Sequence, residues 1–250
     1  MWKKGFFSLT ALLLIISFGC IGAKEKRKDS AQIHLKLGAA YLNKGMVDSA
    51  LKELMEAEKL NPDDPEVYYH LGFTYYQKEK YDEAIAYYQK VLDLNPKYSL
   101  ARNNLGVVYL ELNRWNMAIA EFEKVLEDIF YPTPELAQVN LGWAYYNKKD
   151  LLRAIECYKK ALKINPQMSL AYNNLGLAYY NLDRIKEAVY EFELAIKYYP
   201  AYAEAHHNLG LAYLKLDKKQ EAISEFNEVL KLAPEGELGR KTQRYLDLLK

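Results

Sequence analysis

The chain has 250 residues, of which half are apolar and 27% are charged, so its composition is that of a folded rather than a disordered protein. Its 34 basic and 33 acidic residues nearly balance, which gives no basic surface for nucleic acid. The 23 tyrosines against 12 glycines favour a tyrosine-rich repeat over an enzyme core.

The N-terminal segment has the three parts of a secretory signal: a basic start, the apolar run Phe6–Phe18 and a short stretch of small residues. Gly19-Cys20 resembles the end of a bacterial lipobox, in which the cysteine thiol receives a diacylglycerol. We therefore predict a signal peptide over 1–19 and lipidation at Cys20, followed by a charged linker that completes the segment 20–30.

Two other outcomes for this segment stay open. Cleavage after Ala23 would release a soluble protein. Without cleavage, Phe6–Ala23 would be just long enough to anchor the chain in a membrane. Cys157, the only other cysteine, is expected on a helix as a small apolar residue, so no structural disulfide is predicted.

A repeat of about 34 residues begins at residue 31. Each copy has a glycine, followed three residues later by a tyrosine, twelve later by an alanine and sixteen later by a large apolar residue. The glycines are Gly38, Gly72, Gly106, Gly142, Gly176 and Gly210. These spacings predict two helices per repeat, each with one apolar face. We expect the alanine of the second helix to pack against the glycine of the first.

This pattern resembles the tetratricopeptide repeat, and the resemblance covers residues 31–236. It implies an all-α, right-handed superhelical solenoid of six helix pairs, stabilised by contacts between neighbouring repeats. The predicted repeats are 31–64, 65–98, 99–134, 135–168, 169–202 and 203–236. Residues 237–250 are predicted to form a capping helix that covers the last repeat with Leu238, Tyr245, Leu246 and Leu249.

The third repeat is two residues longer than the others. Val125 precedes Pro132 by seven residues, whereas the corresponding interval elsewhere is five, so the extra residues lie within 126–131. Either the second helix runs on by half a turn or its end bulges. Phe130 and Tyr131 then fill the seam between repeats, form a protruding accessory contact with a partner, or mark a hinge between two halves of three repeats each.

The chain carries no motif for catalysis, and its four histidines lack metal-ligand spacing. We therefore predict no catalytic residue, no metal and no cofactor. Adjacent His206 and His207 are expected to point in different directions on their helix.

In the tetratricopeptide family, peptides lie in a concave groove lined by the first helix of each pair. The resemblance therefore implies an apolar and aromatic groove that binds an apolar or amphipathic protein segment. The groove residues are Tyr69, Phe73, Tyr76, Asn103, Val107, Leu110, Val139, Trp143, Tyr146, Asn173, Leu177, Tyr180, His207, Leu211 and Leu214. Leu35 and Ala39 stand where co-chaperones of the family have lysine and asparagine, which argues against a cytosolic co-chaperone.

The lipobox, the six repeats and the two-residue insertion within "DIFYPTPELAQVNLG" together resemble the pilotin lipoproteins of type IV pilus systems, the PilF/PilW family. The resemblance implies a periplasm-facing lipoprotein of the outer membrane that binds secretin subunits and promotes their localisation and multimerisation. The alternative is an adaptor for another envelope machine, such as a peptidoglycan enzyme, a protease or another secretion system. An enzyme regulated by repeats is a third class, for which the repeats leave no catalytic domain.

Overall fold

Alanine, leucine and tyrosine recurring at helical spacing produce α-helices along the chain. The structure is a computed structural model that describes the backbone of residues 6–249 and the side chains of residues 25–249. The predicted signal peptide over 1–19 and lipidation at Cys20 concern side chains outside the described residues. The chain divides into two compact units, Met1–Val108 and Tyr109–Lys250.

The first unit contains two complete helix pairs and most of a fifth helix. Its helices are α1 Phe6–Asn43, α2 Val47–Leu60, α3 Pro65–Gln77, α4 Tyr81–Leu94 and α5 Ser99–Glu111, of which the last crosses the division between the units. Helix α1 packs on α2, and α3 packs on α4. Each pair matches one predicted repeat.

The second unit contains the remaining helices. They are α6 Trp115–Leu126, α7 Pro134–Asn147, α8 Leu151–Ile164, α9 Ser169–Asn181, α10 Ile185–Tyr198, α11 Ala203–Lys215, α12 Lys219–Leu232 and α13 Glu237–Leu249. Helices α7 to α12 form three antiparallel pairs, and α13 packs on α12. The predicted all-α fold, with two helices per repeat and a further helix at the C-terminal end, is confirmed in the described part of the chain.

Helix α1 begins before the first repeat, and the charged stretch 20–30 is helical rather than an irregular linker. Alanine, lysine, glutamate and arginine dominate this stretch, and all four favour helix. Arg27 also donates a hydrogen bond from its guanidinium to the carbonyl oxygen of Lys59, at 3.3 Å, at the end of α2. Within the part of the chain that the structure describes, no helix has both the length and the apolar character that crossing a membrane requires.

The repeat glycines pack against a large side chain of the second helix, so the expected alanine partner is wrong. A Cβ on Gly176 would lie 2.6 Å from Cε1 of Phe192, and one on Gly142 would lie 2.6 Å from Cε1 of Tyr158. The large side chain of the second helix therefore approaches the glycine so closely that a Cβ there would have to displace it. The alanine four residues earlier is also buried, as Ala188 shows, but it is not the closest neighbour.

The turn between the two helices of a repeat uses one left-handed residue, seven positions after the glycine. The residues are Gly45, Glu79, Asn113, Lys149, Asp183 and Asp217, with φ between 56° and 70°. A side chain in this conformation costs about 1 kcal/mol or more, and only the first repeat avoids that cost with a glycine.

The extra residues of the third repeat form a loop after the end of α6, so of the two predicted alternatives the structure shows the irregular end and not the longer second helix. Helix α6 has 12 residues and ends at Leu126, whereas α4 has 14. The loop turns because Asp128 accepts a hydrogen bond from the Phe130 amide at 3.0 Å, and Tyr131 folds back onto Val125. Pro134 begins α7, and Thr133 precedes it without a side-chain capping bond.

Candidate protein-binding face

The first helices of the second unit present one continuous face, which we call the first-helix face; it is formed by α7, α9 and α11. Helix α7 contacts α9, and α9 contacts α11. Side chains 35 residues apart bridge these helices: Asn181 Nδ2 donates to Tyr146 Oη at 2.8 Å, and Asn208 Nδ2 donates to Asn173 Oδ1 at 2.9 Å. The repeat has 34 residues, so a partner 35 residues away lies on the neighbouring first helix, one residue beyond the equivalent position.

Trp143 is the most exposed aromatic residue among the predicted groove positions, with 36% of its surface accessible. It stacks on Tyr146 with ring centroids 5.2 Å apart and an interplanar angle of 9°. Tyr146 is held in turn by the Asn181 amide, which also donates to the carbonyl oxygen of Leu177 at 2.8 Å. The two rings are therefore fixed before any ligand arrives.

Two exposed leucines extend this apolar surface. Leu136 is 43% exposed and Leu170 is 40% exposed, and each stands six residues before the glycine of its repeat. Leu136 shares a side of α7 with Trp143 and Tyr146, because the residues lie seven and ten positions apart. Sequence reasoning named no residue at this position, although leucine recurs there in repeats three to five.

Three predicted groove residues of this unit are buried: Val139 and His207, each 3% exposed, and Asn173, 4% exposed. They pack between neighbouring helices and do not present their side chains to a partner. The other predicted positions of the unit are half-buried, namely Leu110, Tyr146, Leu177, Tyr180, Leu211 and Leu214. The accessible part of the face therefore centres on Trp143.

The corresponding positions of the first unit are all half-buried: Tyr69, Phe73, Tyr76, Asn103 and Val107. Tyr69 stacks on Tyr98 with centroids 5.4 Å apart and accepts a hydrogen bond from Asn104 Nδ2 at 3.3 Å. The Tyr98 hydroxyl donates to Glu66 at 2.5 Å. The first unit thus presents tyrosines that are engaged with their own neighbours.

Adjacent His206 and His207 point in different directions, as expected. His206 Nδ1 lies 2.6 Å from Glu225 Oε2, and this hydrogen bond, together with one from Nε2 to the Pro200 carbonyl, raises the pKa of His206. His207 Nδ1 lies 2.8 Å from Thr242 Oγ1 in the capping helix. Burial lowers the pKa of His207 to about 4, so this ring is neutral at pH 7.

The loop of the third repeat separates its two aromatic residues. Tyr131 is 6% exposed and packs with Val125 and Ala137, whereas Phe130 and its neighbour Ile129 are each 87% exposed. Of the two predicted accessory-contact residues, Tyr131 therefore belongs to the packing between helices, and Phe130 faces solvent.

Cys157 is 5% exposed on α8, and burial raises the pKa of its thiol to about 11. The thiolate is therefore scarce at neutral pH, in keeping with the prediction of an unreactive residue.

Comparison with protein families identifies the repeats directly. Tetratricopeptide repeat profiles match residues 65–98, 87–120, 169–202 and 203–235, and a further TPR repeat profile matches 42–78 and 142–183. No curated protein sequence matches the chain.

Several solved structures share the fold. PilW, described as a widely conserved type IV pilus biogenesis factor, matches 85% of this chain and 98% of its own, with a TM-score of 0.79 and 21% identity. PilF of Pseudomonas aeruginosa matches 88% of this chain and 99% of its own, with a TM-score of 0.75 and 19% identity. YrrB, described as a TPR protein with an unusual peptide-binding site, matches 76% and 97%, with a TM-score of 0.58 and 20% identity.

Proposed function

Because the chain belongs to the tetratricopeptide repeat family, we propose that it is a non-catalytic scaffold that binds a protein segment on the first-helix face. One observation carries the proposal: Trp143 is exposed and stacked on Tyr146, and the exposed Leu136 lies on the same side of α7, with the exposed Leu170 at the equivalent position of α9. Rigid aromatic side chains that lose little entropy on binding are typical hot spots of protein interfaces.

The chemistry of the face selects an apolar or amphipathic segment. Two asparagines at equivalent positions, Asn147 and Asn181, donate from Nδ2 to the carbonyl oxygens of Trp143 and Leu177, at 2.9 Å and 2.8 Å. These bonds orient the amides and leave their oxygens as acceptors for backbone N–H groups of a bound segment. Apolar contacts would supply affinity, and the amides would set the register of the segment.

We place this scaffold in the cell envelope, where lipidation of Cys20 would hold it at the outer membrane facing the periplasm. The function that fits best is support of type IV pilus biogenesis, through binding of secretin subunits and promotion of their localisation and multimerisation. The support is the likeness of the chain to PilW and PilF over almost their whole lengths, together with the lipobox-like Gly19-Cys20.

The binding test uses the chain without its lipid anchor, carrying Cys20→Ser, and the purified secretin of the same cells. We expect Trp143→Ala to weaken secretin binding at least about tenfold, as loss of a hot-spot aromatic does. The matched control is Tyr190→Ala, because Tyr190 is 60% exposed on the second helix α10. Equal affinities for the two variants would contradict the assignment of the face.

Deletion of the gene tests the cellular role. We expect secretin multimers and surface pili to be lost, and Trp143→Ala to reproduce part of that loss. Intact multimers would rule out the pilus role. Capture of a peptidoglycan enzyme or protease by the wild-type face, but not by Trp143→Ala, would then support the adaptor alternative.

Fatty-acid labelling tests the lipid anchor separately. We expect the label on the wild-type chain and its loss in Cys20→Ser.

A further inference from the structure

The loop between α6 and α7 holds two apolar side chains in full contact with solvent, and we call Ile129 and Phe130 the apolar tip. Each is 87% exposed, more than any other large apolar residue in the described part of the chain. The tip is built rather than loose. The Asp128 carboxylate accepts the Phe130 amide at 3.0 Å, the Tyr131 amide donates to the Asp128 carbonyl at 3.1 Å, and Tyr131 is buried behind it.

Acidic residues stand on both sides of the apolar tip along the chain. Glu127 and Asp128 precede it directly, and Glu135 follows in the first turn of α7. This arrangement would be repelled by an anionic lipid surface. It suits an apolar pocket that carries lysines at its rim.

Such a pocket lies in the same unit, at the other end of α7. A shallow, open depression of about 400 Å³ on the surface is lined by Lys148, Lys149, Asp150, Leu151, Leu152 and Leu182. We call it the leucine pocket. Leu152 is 66% exposed, both lysines are exposed, and the carboxylate of Asp150 is paired with Arg153. The floor is apolar and the free charge at the rim is positive.

The apolar tip cannot reach the leucine pocket of its own chain. The tip precedes α7 and the pocket follows it, and a helix of 14 residues is about 21 Å long. We therefore propose that the tip of one copy of this chain inserts into the leucine pocket of a second copy, Phe130 against Leu151 and Leu152. This contact is separate from the first-helix face and does not rest on the identity of its partner.

The placement of tip and pocket dictates the kind of assembly. The two surfaces differ, so the contact is head-to-tail, and each added copy leaves one free tip and one free pocket. The contact area of one loop is small, so we expect weak association, with a dissociation constant between about 10 μM and 1 mM. Confinement of the chains on a membrane by a lipid anchor would strengthen it without any new contact.

Sedimentation equilibrium of the Cys20→Ser chain at rising concentration is the first measurement. We expect the weight-average mass to rise past that of a dimer, and Phe130→Ser to shift the association constant at least tenfold. Leu248→Ser is the matched control, because Leu248 is 84% exposed on α13, outside both surfaces. Association that survives Phe130→Ser, or a wild-type chain that stays monomeric to 1 mM, would overturn the proposal.

Charge exchange tests the partner surface. Lys149→Glu is compatible with its left-handed turn, because Glu79 occupies the same position in the second repeat. We expect Lys149→Glu and Glu127→Lys each to weaken association and an equimolar mixture of the two single variants to recover it in part.

Disulfide trapping tests which surfaces meet. In a mixture of Phe130→Cys and Leu152→Cys chains, oxidation should yield the mixed disulfide. Disulfides formed equally within each variant alone would contradict head-to-tail contact.

Discussion

At the scale of single residues, two neighbouring histidines show how the surroundings decide the protonation of one residue type. His206 meets a carboxylate, which favours the imidazolium and raises its pKa, whereas His207 is enclosed by Phe226, Tyr245 and Thr242, which disfavours the charge. Thr242 Oγ1 already donates to the Leu238 carbonyl at 2.8 Å, so His207 donates from Nδ1 to that oxygen and Nε2 carries no proton.

This contrast predicts a pH-dependent stability of the C-terminal end. The pKa of His207 is lowered from 6.5 to about 4 in the folded state, so between pH 6.5 and 4 only the unfolded chain gains a proton there. Stability should therefore fall as the pH drops through this window. We expect His207→Phe, which keeps the Thr242 hydroxyl bonded to Leu238, to flatten the fall in Tm between pH 6.5 and 4.

His206→Gln is the control of opposite sign. The raised pKa of His206 means that its contribution is fully present below pH 6.5 and is lost as the pH rises through the higher folded-state value. Removal of His206 should therefore lower Tm by a similar amount throughout pH 4 to 6.5 and by less as the pH rises above 6.5, whereas removal of His207 changes the slope between pH 6.5 and 4. Parallel pH profiles for the two variants would contradict this account.

At the scale of helices, the close contact between glycine and ring sets the separation of each pair. Alanine in place of glycine gains about 1 kcal/mol of helix propensity, but a methyl group at Gly176 would meet the Phe192 ring at 2.6 Å. Overpacking of this kind typically costs about 1–3 kcal/mol. The packing term is the larger one because Phe192 is fully buried and has no space to move into.

We therefore predict that Gly176→Ala lowers the free energy of unfolding by up to about 2 kcal/mol, measured from denaturant midpoints. A smaller partner tests the cause: in the Gly176→Ala background, Phe192→Leu should cost less than it does in the wild type. A neutral or stabilising effect of Gly176→Ala would show that propensity outweighs the contact.

At the scale of the whole molecule, the last helix closes one end of the row of repeats. Leu246 is 5% exposed against Ala222 and Phe226, and Tyr245 stacks on Phe226 with centroids 5.6 Å apart. Without this cover, the apolar side of the sixth repeat would meet water, which a repeat protein stabilised by neighbour contacts tolerates poorly.

We predict that Tyr245→Asp lowers Tm and exposes α11 and α12 to protease. Because the contacts are between neighbours, hydrogen exchange should accelerate in α11 to α13 and change little in α7 and α8. Leu248→Asp is the control, since Leu248 on the same helix is 84% exposed. Unchanged protection of α11 and α12 in Tyr245→Asp would show that the helix does not act as a cap.

The sequence by itself determined the helices, their order and the capping helix, because the pattern of apolar residues recurs with the same period in six copies. The period could also locate the two extra residues at 126–131, since they break the count at one place only. Packing decided the rest. Whether Phe130 or Tyr131 turns inward depends on the hydrogen bond that the Asp128 carboxylate accepts from the Phe130 amide and on the space beside Val125. Neither is a property of residue spacing.

The same limit applies to the binding face. Val139 and Trp143 lie four residues apart on the same helix, α7, and both were predicted to line the groove, yet one is 3% and the other 36% exposed. A side chain on the first helix of a repeat lies between the second helix of the same repeat and the helices of the neighbouring repeat. Its exposed fraction therefore depends on the size of residues some 34 positions away. The sequence identifies which residues face that way, and only the tertiary structure decides which of them a partner can touch.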